Sequence, residues 1–321
     1  MKKIKGSRSK PAPSVLIVVA ALSLCALLPL RVYHVSSLIE PETGFFAKTN
    51  ASVWLFYIIC ALVIGFLMAA SFLGDKVNRV RDCMTRNKPL GVVSLLTGVA
   101  VMFDAIVELL QFLDLTGAYN PYAGATMFSY LTKNGGTALL FGAVFAALSA
   151  AFYWIYALSC FNKKIHMRSF RILSVMPVAW SICRIITRFV TKISFVNVSD
   201  LLLELFMLVF LISFTLAFAQ VVTNVTPEVS AWRLFGCGLP AALLAFVISV
   251  PRLMMLALLH TDRIVAGHSL APCDLMLAIF IPVFLYFTTT AVKKRPLQEQ
   301  PVQQEAQPEQ SADTQGDADK E

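Results

Sequence analysis

Long apolar runs recur along the whole chain and restrict the fold to one class. Each run reaches or approaches the roughly 20 residues that a helix needs to cross the hydrocarbon core of a bilayer. Hydrophobic residues make up 57% of the 321 residues and charged residues 14%, whereas soluble domains carry about 25% charged residues. A soluble helical protein would need amphipathic helices and a charged surface, and this sequence has neither. We therefore predict an all-α fold, a polytopic transmembrane helical bundle.

The apolar runs predict eight membrane spans between a basic N-terminus and an acidic tail. Residues 1–12 contain five basic side chains, and the apolar run that follows lacks a small-residue cleavage site, so we interpret it as an uncleaved first span rather than a signal peptide. Residues 293–321 are rich in Gln and Glu and lack aromatic residues, which predicts a disordered tail. The predicted spans are 13–30, 53–73, 91–113, 137–161, 170–190, 201–222, 234–259 and 270–292.

The distribution of basic residues predicts the orientation of the spans. With the N-terminus placed in the cytoplasm, 18 Lys and Arg residues fall in cytoplasmic segments and five in outer segments, with Lys320 at the far end of the tail left out of the count. This asymmetry follows the positive-inside rule. An odd number of spans would place the basic residues at 293–295 outside, so we expect both termini to be cytoplasmic. The positive charge is spread over short loops, which indicates membrane topology rather than nucleic-acid binding.

An acidic stripe lies inside the third predicted span. Asp104, Glu108 and Gln111 fall on one face of a helix. Asp104 is about nine residues from the outer end of the span, hence roughly 13 Å below the outer boundary and near the membrane midplane. Because acids at this depth are costly, they usually face a protein interior or a watery cavity and have a partner. We expect Asp104 to line a functional cavity; the alternative is a packing role in which the carboxyl group is protonated or hydrogen-bonded.

Charged residues in later spans are candidate partners for this stripe. Arg184 and Arg188 lie on one face of the fifth span, Glu204 lies near the start of the sixth, and Arg252 lies late in the seventh. All are predicted in the outer half of the membrane, which suggests a polar pocket open to the outside. The alternative is structural: Arg184 and Glu204 pair between neighbouring helices, and the charges nearest the boundary, Arg188, Asp200 and Asp274, snorkel towards water.

The seventh span contains two prolines, Pro240 and Pro251. Proline removes a backbone donor and tends to kink a helix. Broken helices line cavities in many transporters, so the two prolines are hinge candidates. A plain kinked helix explains them equally well.

Motifs for catalysis and for cofactor or metal binding are absent from the sequence. It contains no H-E-x-x-H, no G-x-S-x-G and no P-loop. Its seven cysteines form no C-x-x-C pair. His260 and His268 share an outer loop, and a solvated loop explains them more simply than a metal site. We predict no enzyme activity, cofactor, metal or nucleic-acid partner.

Two stretches resemble a known group of proteins. The segments Leu30–Tyr33 and Pro41–Phe46, and the segment Pro177–Trp180 followed by Arg184, resemble segments of uncharacterised multi-pass membrane proteins from Gram-positive bacteria. This resemblance implies residence in a bacterial cell membrane and implies no particular activity.

Two functional hypotheses follow from these patterns. The first is a small-solute transporter, or permease-like protein, with an outward-facing pocket lined by the acidic stripe and the arginines. The second is a non-catalytic sensor or accessory subunit, in which the basic inner loops and the acidic tail bind a cytoplasmic protein partner. The lipid bilayer is the one partner that both hypotheses require.

Overall fold

The computed structural model describes eleven stretches of the chain: residues 13–40, 46–47, 50–74, 79–80, 87–119, 126–162, 165–190, 198–223, 225, 229–258 and 272–293. The predicted basic N-terminus at 1–12 lies outside the described residues. So do 294–321, which make up almost all of the predicted tail, and His260 and His268.

The described residues are almost entirely helical. The α-helices are α1 (Pro13–Tyr33), α2 (Ala51–Gly74), α3 (Lys88–Gly117), α4 (Met127–Lys133), α5 (Gly136–Phe161), α6 (Arg171–Ser174), α7 (Met176–Val190), α8 (Val198–Val222), α9 (Ala231–Ala257) and α10 (Pro272–Lys293). A π-helical turn, His34–Leu38, extends α1, and a 3-10 helix, Met167–Phe170, precedes α6. Two short strands, β1 (Arg79–Val80) and β2 (Val229–Ser230), pair in antiparallel register.

Seven helical segments among the described residues are long and apolar enough to cross a membrane. They correspond to the first seven predicted spans, and they establish a multi-pass integral membrane protein. The eighth predicted span is also a helix, α10, although its described apolar part, Pro272–Phe287, is shorter than the other seven. The fifth span differs in form: it consists of the 3-10 helix, α6 and α7, with Val175 between the two α-helices.

Large apolar side chains cover the outer surface of the bundle. Because the bilayer interior is apolar, a lipid-facing helix surface exposes such residues instead of the charged ones of a soluble protein. Examples on α2, α3 and α8 are Trp54, Leu62, Phe66, Phe72, Val99, Phe103, Leu110, Phe206 and Val209, all of which are exposed. This surface implies direct contact with the lipid bilayer.

Helix α9 is the centre of the bundle. It packs against α1, α2, α8 and α10, and nearly all of its described residues are buried. Small residues make this possible: a side chain at Gly238 would meet Phe214 of α8 at 2.7 Å and Ile281 of α10 at 3.1 Å, and one at Gly236 would meet Ser71 of α2 at 3.3 Å. Small residues allow helices to approach closely in a membrane, where no hydrophobic effect drives helices together.

Helices α3 and α5 form a second close contact, at the side of the bundle. Gly98 packs against the Trp154 ring, and the Ser94 hydroxyl donates a hydrogen bond of 2.8 Å to the Tyr153 carbonyl. Helix α3 also packs on α10, and α5 packs on α7. Helix α7 also packs on α8, so α3, α7, α8 and α10 lie around one region, which contains buried charges.

Candidate functional site

The buried charges gather at one end of the bundle, here called the charged end. It is the end at which α1, α3, α7 and α9 finish and α2, α5, α8 and α10 begin. The β1–β2 pair lies at the opposite end, because β1 follows α2 and β2 precedes α9. Two groups of charges are present, the Arg184 cluster (Asp104, Glu108, Arg184, Arg188, Glu204 and Asp274) and the Arg31 cluster (Arg31, Asp200 and Arg252).

Arg184 forms the most complete ion pair of its cluster. Its Nη1 and Nη2 donate to the two carboxylate oxygens of Asp274, at 2.7 and 2.9 Å. The guanidinium also lies over the Trp180 ring, 5.2 Å from the centroid. Both partners of the pair are almost fully buried. A two-point contact of this kind fixes orientation as well as charge, so Arg184 holds α7 against α10.

Glu204 joins α8 to the same cluster. Its Oε1 accepts from Nε and Nη2 of Arg188 at 3.1 and 2.8 Å, and it lies 3.6 Å from Nη2 of Arg184. Glu204 is buried, whereas Arg188 remains partly exposed. The sequence-based pairing of Arg184 with Glu204 is therefore only partly correct: the two groups are close, but the main partner of Arg184 is Asp274.

The two acids of α3 face this group of ion pairs. Asp104 lies near the Cys273 thiol and within electrostatic range of Arg184 and Asp274. Glu108 lies within the same range of Asp104 and Arg184. Its Oε2 packs against α5, where a side chain at Gly142 would meet that oxygen at 2.6 Å. Neither acid forms an ion pair within 4.0 Å among the described residues.

The Arg31 cluster joins α1, α8 and α9. Nη2 of Arg31 donates to one carboxylate oxygen of Asp200, and Nη2 of Arg252 lies 3.4 Å from the other. Arg31 and Arg252 are both buried. Asp274 lies within electrostatic range of Arg252, so the two clusters are adjacent.

Several polar atoms of the Arg184 cluster and its surroundings lack a hydrogen-bond partner among the described residues. The donors are the Tyr153 hydroxyl and Nε1 of Trp180, and the acceptors are Oε2 of Glu108 and Oε2 of Glu204. An unpaired polar group in an apolar environment costs about 1–3 kcal/mol. Such groups are rare in native proteins and often mark a functional site or a place for a bound molecule.

A cluster of aromatic side chains from α5, α8 and α10 lies next to the buried charges, on the side towards the opposite end of the bundle. Phe218 is its centre and contacts six rings, with centroid distances of 4.8–6.4 Å. Phe218 follows Glu204 on α8 by fourteen residues, or about 21 Å of helix. The six rings are those of Phe152, Tyr153, Tyr156, Phe214, Phe280 and Phe284. Aromatic contacts therefore pack α5, α8 and α10 together between the charged end and the opposite end of the bundle.

The structure brings most of the sequence-predicted residues together, with two departures. Gln111 is exposed, so the acidic stripe contributes Asp104 and Glu108 but not its third member. Arg252 contacts Asp200 and so belongs to the Arg31 cluster, not to the Arg184 cluster.

The two hinge candidates lie within one helix. Helix α9 continues through Pro240 and Pro251 as a single helix, and both prolines are buried.

Sequence reasoning underestimated Arg31, Asp200 and Asp274. The structural alternative has Asp200 and Asp274 snorkel towards water, yet Asp274 is 1% exposed and both carboxylates bind arginines. Arg31 was counted only as an outer basic residue, yet it is 1% exposed. The sequence offered one indication of their role: all three residues lie at or next to the outer end of a predicted span. No local pattern could show that residues 169 positions apart form a pair.

Comparison of the chain with protein-family models, curated proteins and solved structures finds no match. Among the described residues, no group of three or more His, Cys, Asp or Glu side chains is arranged to hold a metal ion.

Proposed function

We propose that the protein is a small-solute transporter of a bacterial cell membrane, and that the Arg184 cluster is its solute-binding site. In this proposal the chain crosses the membrane eight times, both termini are cytoplasmic, and the charged end faces outward. The solute crosses without chemical conversion. The observation that carries the proposal is the convergence of buried, partly unpaired polar groups from α3, α5, α7 and α8 on one region of an otherwise apolar bundle.

The charges of the cluster favour a positively charged solute or a co-transported proton. Four carboxyl groups face two guanidinium groups, so the fully ionised cluster carries two excess negative charges. Uncompensated charge is costly inside a membrane. Asp104 and Glu108 are the acids without a close arginine, and a cation or proton bound between them would offset that charge.

Alternating access requires two barriers, one on each side of the site. The aromatic cluster supplies the inner barrier in this proposal, and movement of α9 around Pro240 and Pro251 would open it. Helix α9 is suited to this role because it contacts four other helices. The ion pairs of Arg184 and Arg188 would break or re-form as α7 moves against α8 and α10.

Uptake into proteoliposomes tests the proposal. A panel of radiolabelled cationic, zwitterionic and anionic solutes is assayed with and without an inward proton gradient. We expect uptake of at least one cationic or zwitterionic solute. Asp104→Asn and Glu108→Gln should each lower its rate about tenfold or more, because each removes a charge-assisted contact worth about 1.5–3 kcal/mol.

Asp114 offers a matched control on the same helix. It is exposed, so Asp114→Asn should leave uptake unchanged. Two outcomes would contradict the proposal. One is that no solute enters faster than it enters protein-free liposomes, and the other is that uptake is unchanged in both the Asp104 and the Glu108 variant.

The alternative, a sensor or accessory subunit, depends on the acidic tail at 296–321, which lies outside the described residues.

A further inference from the structure

The junction of α1 and α2 contains a second group of buried polar atoms that the proposed transport site does not use. Arg31 and His34 lie one turn apart on α1 and its π-helical extension, and they are 1% and 0% exposed. Nη1 of Arg31 and Nδ1 of His34 both lack a hydrogen-bond partner among the described residues. Two side chains buried to this extent with unpaired nitrogen atoms need an explanation.

The side chains of Arg31 and His34 both contact the ring of Phe56. The Arg31 guanidinium lies 5.6 Å from the centroid of the Phe56 ring, and the His34 ring lies 5.5 Å from the same centroid. Nε2 of His34 lies 3.3 Å from the hydroxyl of Ser52 at the start of α2. When that hydroxyl donates to Nε2, Nδ1 carries the proton and is a donor. The junction then presents two unpaired donors, Nη1 of Arg31 and Nδ1 of His34.

Among the described residues, the Arg31 cluster has a formal charge of +1, from two arginines and one aspartate. Arg31 and Arg252 both contact Asp200, so two guanidinium groups share one carboxylate of the cluster. The Tyr57 side chain lies within electrostatic range of Arg31 and Asp200 and adds a polar group to the same region. A buried guanidinium with a free N–H beside a second donor is suited to bind an oxyanion.

A π-helical turn contains His34. Residues His34–Leu38 form this turn at the C-terminal end of α1, where such turns occur. The turn ends at Ile39, which bridges to Phe46, and the Phe46 ring packs edge-on against His34 at 5.6 Å. Phe46 therefore covers one side of the His34 ring.

We propose that Arg31 and His34 form an oxyanion-binding site, with Arg252 adding positive charge, for the carboxylate or phosphate group of a small molecule or of a lipid headgroup. Nη1 of Arg31 and Nδ1 of His34 donate to the anion, while Nη2 of Arg31 remains on Asp200. The site is separate from Asp104 and Glu108, so it does not depend on the transport proposal.

Anion-dependent stabilisation of the purified full-length protein tests this site. Thermal unfolding is followed in dodecyl maltoside with increasing acetate, inorganic phosphate or phosphatidylglycerol, and with chloride at matched ionic strength. Saturable stabilisation by acetate or phosphate beyond that by chloride supports a free anion as ligand. Saturable stabilisation by phosphatidylglycerol alone supports a lipid headgroup. Stabilisation by none of the three overturns the proposal.

Variants connect any stabilisation to the two side chains. Arg31→Lys keeps the charge beside Asp200 but lacks the forked guanidinium, and His34→Leu removes the ring nitrogens while keeping an apolar side chain against Phe46 and Phe56. Each should raise the apparent dissociation constant about tenfold, the expected loss for one charge-assisted hydrogen bond. Unchanged dissociation constants in both variants would also overturn the proposal.

Two controls separate this result from other effects. Arg233→Gln removes an exposed arginine at the opposite end of the bundle and should not change anion binding. Asp104→Asn should bind the anion as the parent protein does, even if it no longer transports any solute. A failure of the transport proposal is therefore distinguishable from a failure of this one.

Discussion

At the scale of single residues, Arg184 shows how a charge is tolerated at membrane depth. Asp274 occupies both of its terminal nitrogens, Trp180 covers one face of the guanidinium, and Glu204 lies at 3.6 Å. Removal of one partner from such a network leaves an uncompensated buried charge, which costs more than the intact pair contributes. The network therefore tolerates the loss of a whole pair better than the loss of one member.

Substitution of Arg184 tests this asymmetry. Arg184→Ala should lower the free energy of unfolding by about 3–5 kcal/mol, because Asp274 loses both of its guanidinium contacts. The double variant Arg184→Ala with Asp274→Ala should be less unstable than the two single effects combined, by about 0.5–3 kcal/mol. Denaturation in mixed detergent micelles measures each value.

Arg168 provides the control for charge removal. It is exposed in the 3-10 helix that precedes α6, so Arg168→Ala should change the stability by no more than about 0.5 kcal/mol. Strictly additive losses in the Arg184 and Asp274 variants would show that the two side chains do not act as a pair.

At the scale of elements, the contact between α3 and α5 determines where the two acids lie. Gly98 and Gly142 allow the helices to approach at two levels, and Glu108 fills the space over Gly142. Both helices were predictable from their apolar runs, because a span depends on the local composition of about 20 residues. The pairing of the two helices was not, because Gly91 and Gly98 mark a face on which a helix can approach closely but do not show which helix packs there.

Gly98→Ala tests this contact. The new methyl group would lie 2.5 Å from Cδ1 of Trp154 and 3.1 Å from the carbonyl oxygen of Ala150. Since the carbonyl belongs to helix backbone, we expect a loss of about 1–3 kcal/mol from overpacking, measured by thermal unfolding in detergent.

Gly65 is the matched control, since it lies inside α2 and a side chain there would meet nothing within 4 Å. Gly65→Ala should be neutral or stabilising by up to about 1 kcal/mol, because alanine favours helix. Equal effects of the two substitutions would mean that the contact at Gly98 does not limit the approach of the helices.

At the scale of the whole molecule, the charges divide the bundle into two ends. Ion pairs join α1, α7, α8, α9 and α10 at the charged end, and the β1–β2 pair links two connecting segments at the other. The aromatic cluster lies between these ends. The two ends of the bundle therefore differ in charge. Because the transport proposal places the charged end outside, the orientation in the membrane is a central prediction.

Reporter fusions test the orientation. Alkaline phosphatase fused after Ala118, at the charged end, should be active outside the cytoplasm, and a fusion after Lys293 should be inactive. Green fluorescent protein fused after Lys293 should fluoresce. These outcomes follow from the 18 and five basic residues on the two sides of the predicted topology. An active phosphatase after Lys293 would contradict eight spans with both termini inside.

The class of the protein, the approximate limits of its helices and the position of the buried charges near one end could all be predicted from the amino-acid sequence. These properties depend on local composition and on bilayer thickness, which a single segment can express. The pairing of the charges could not be predicted in this way. Asp274 rather than Glu204 holds Arg184, and Asp200 joins Arg31 to Arg252, because those contacts depend on how distant helices pack around α9.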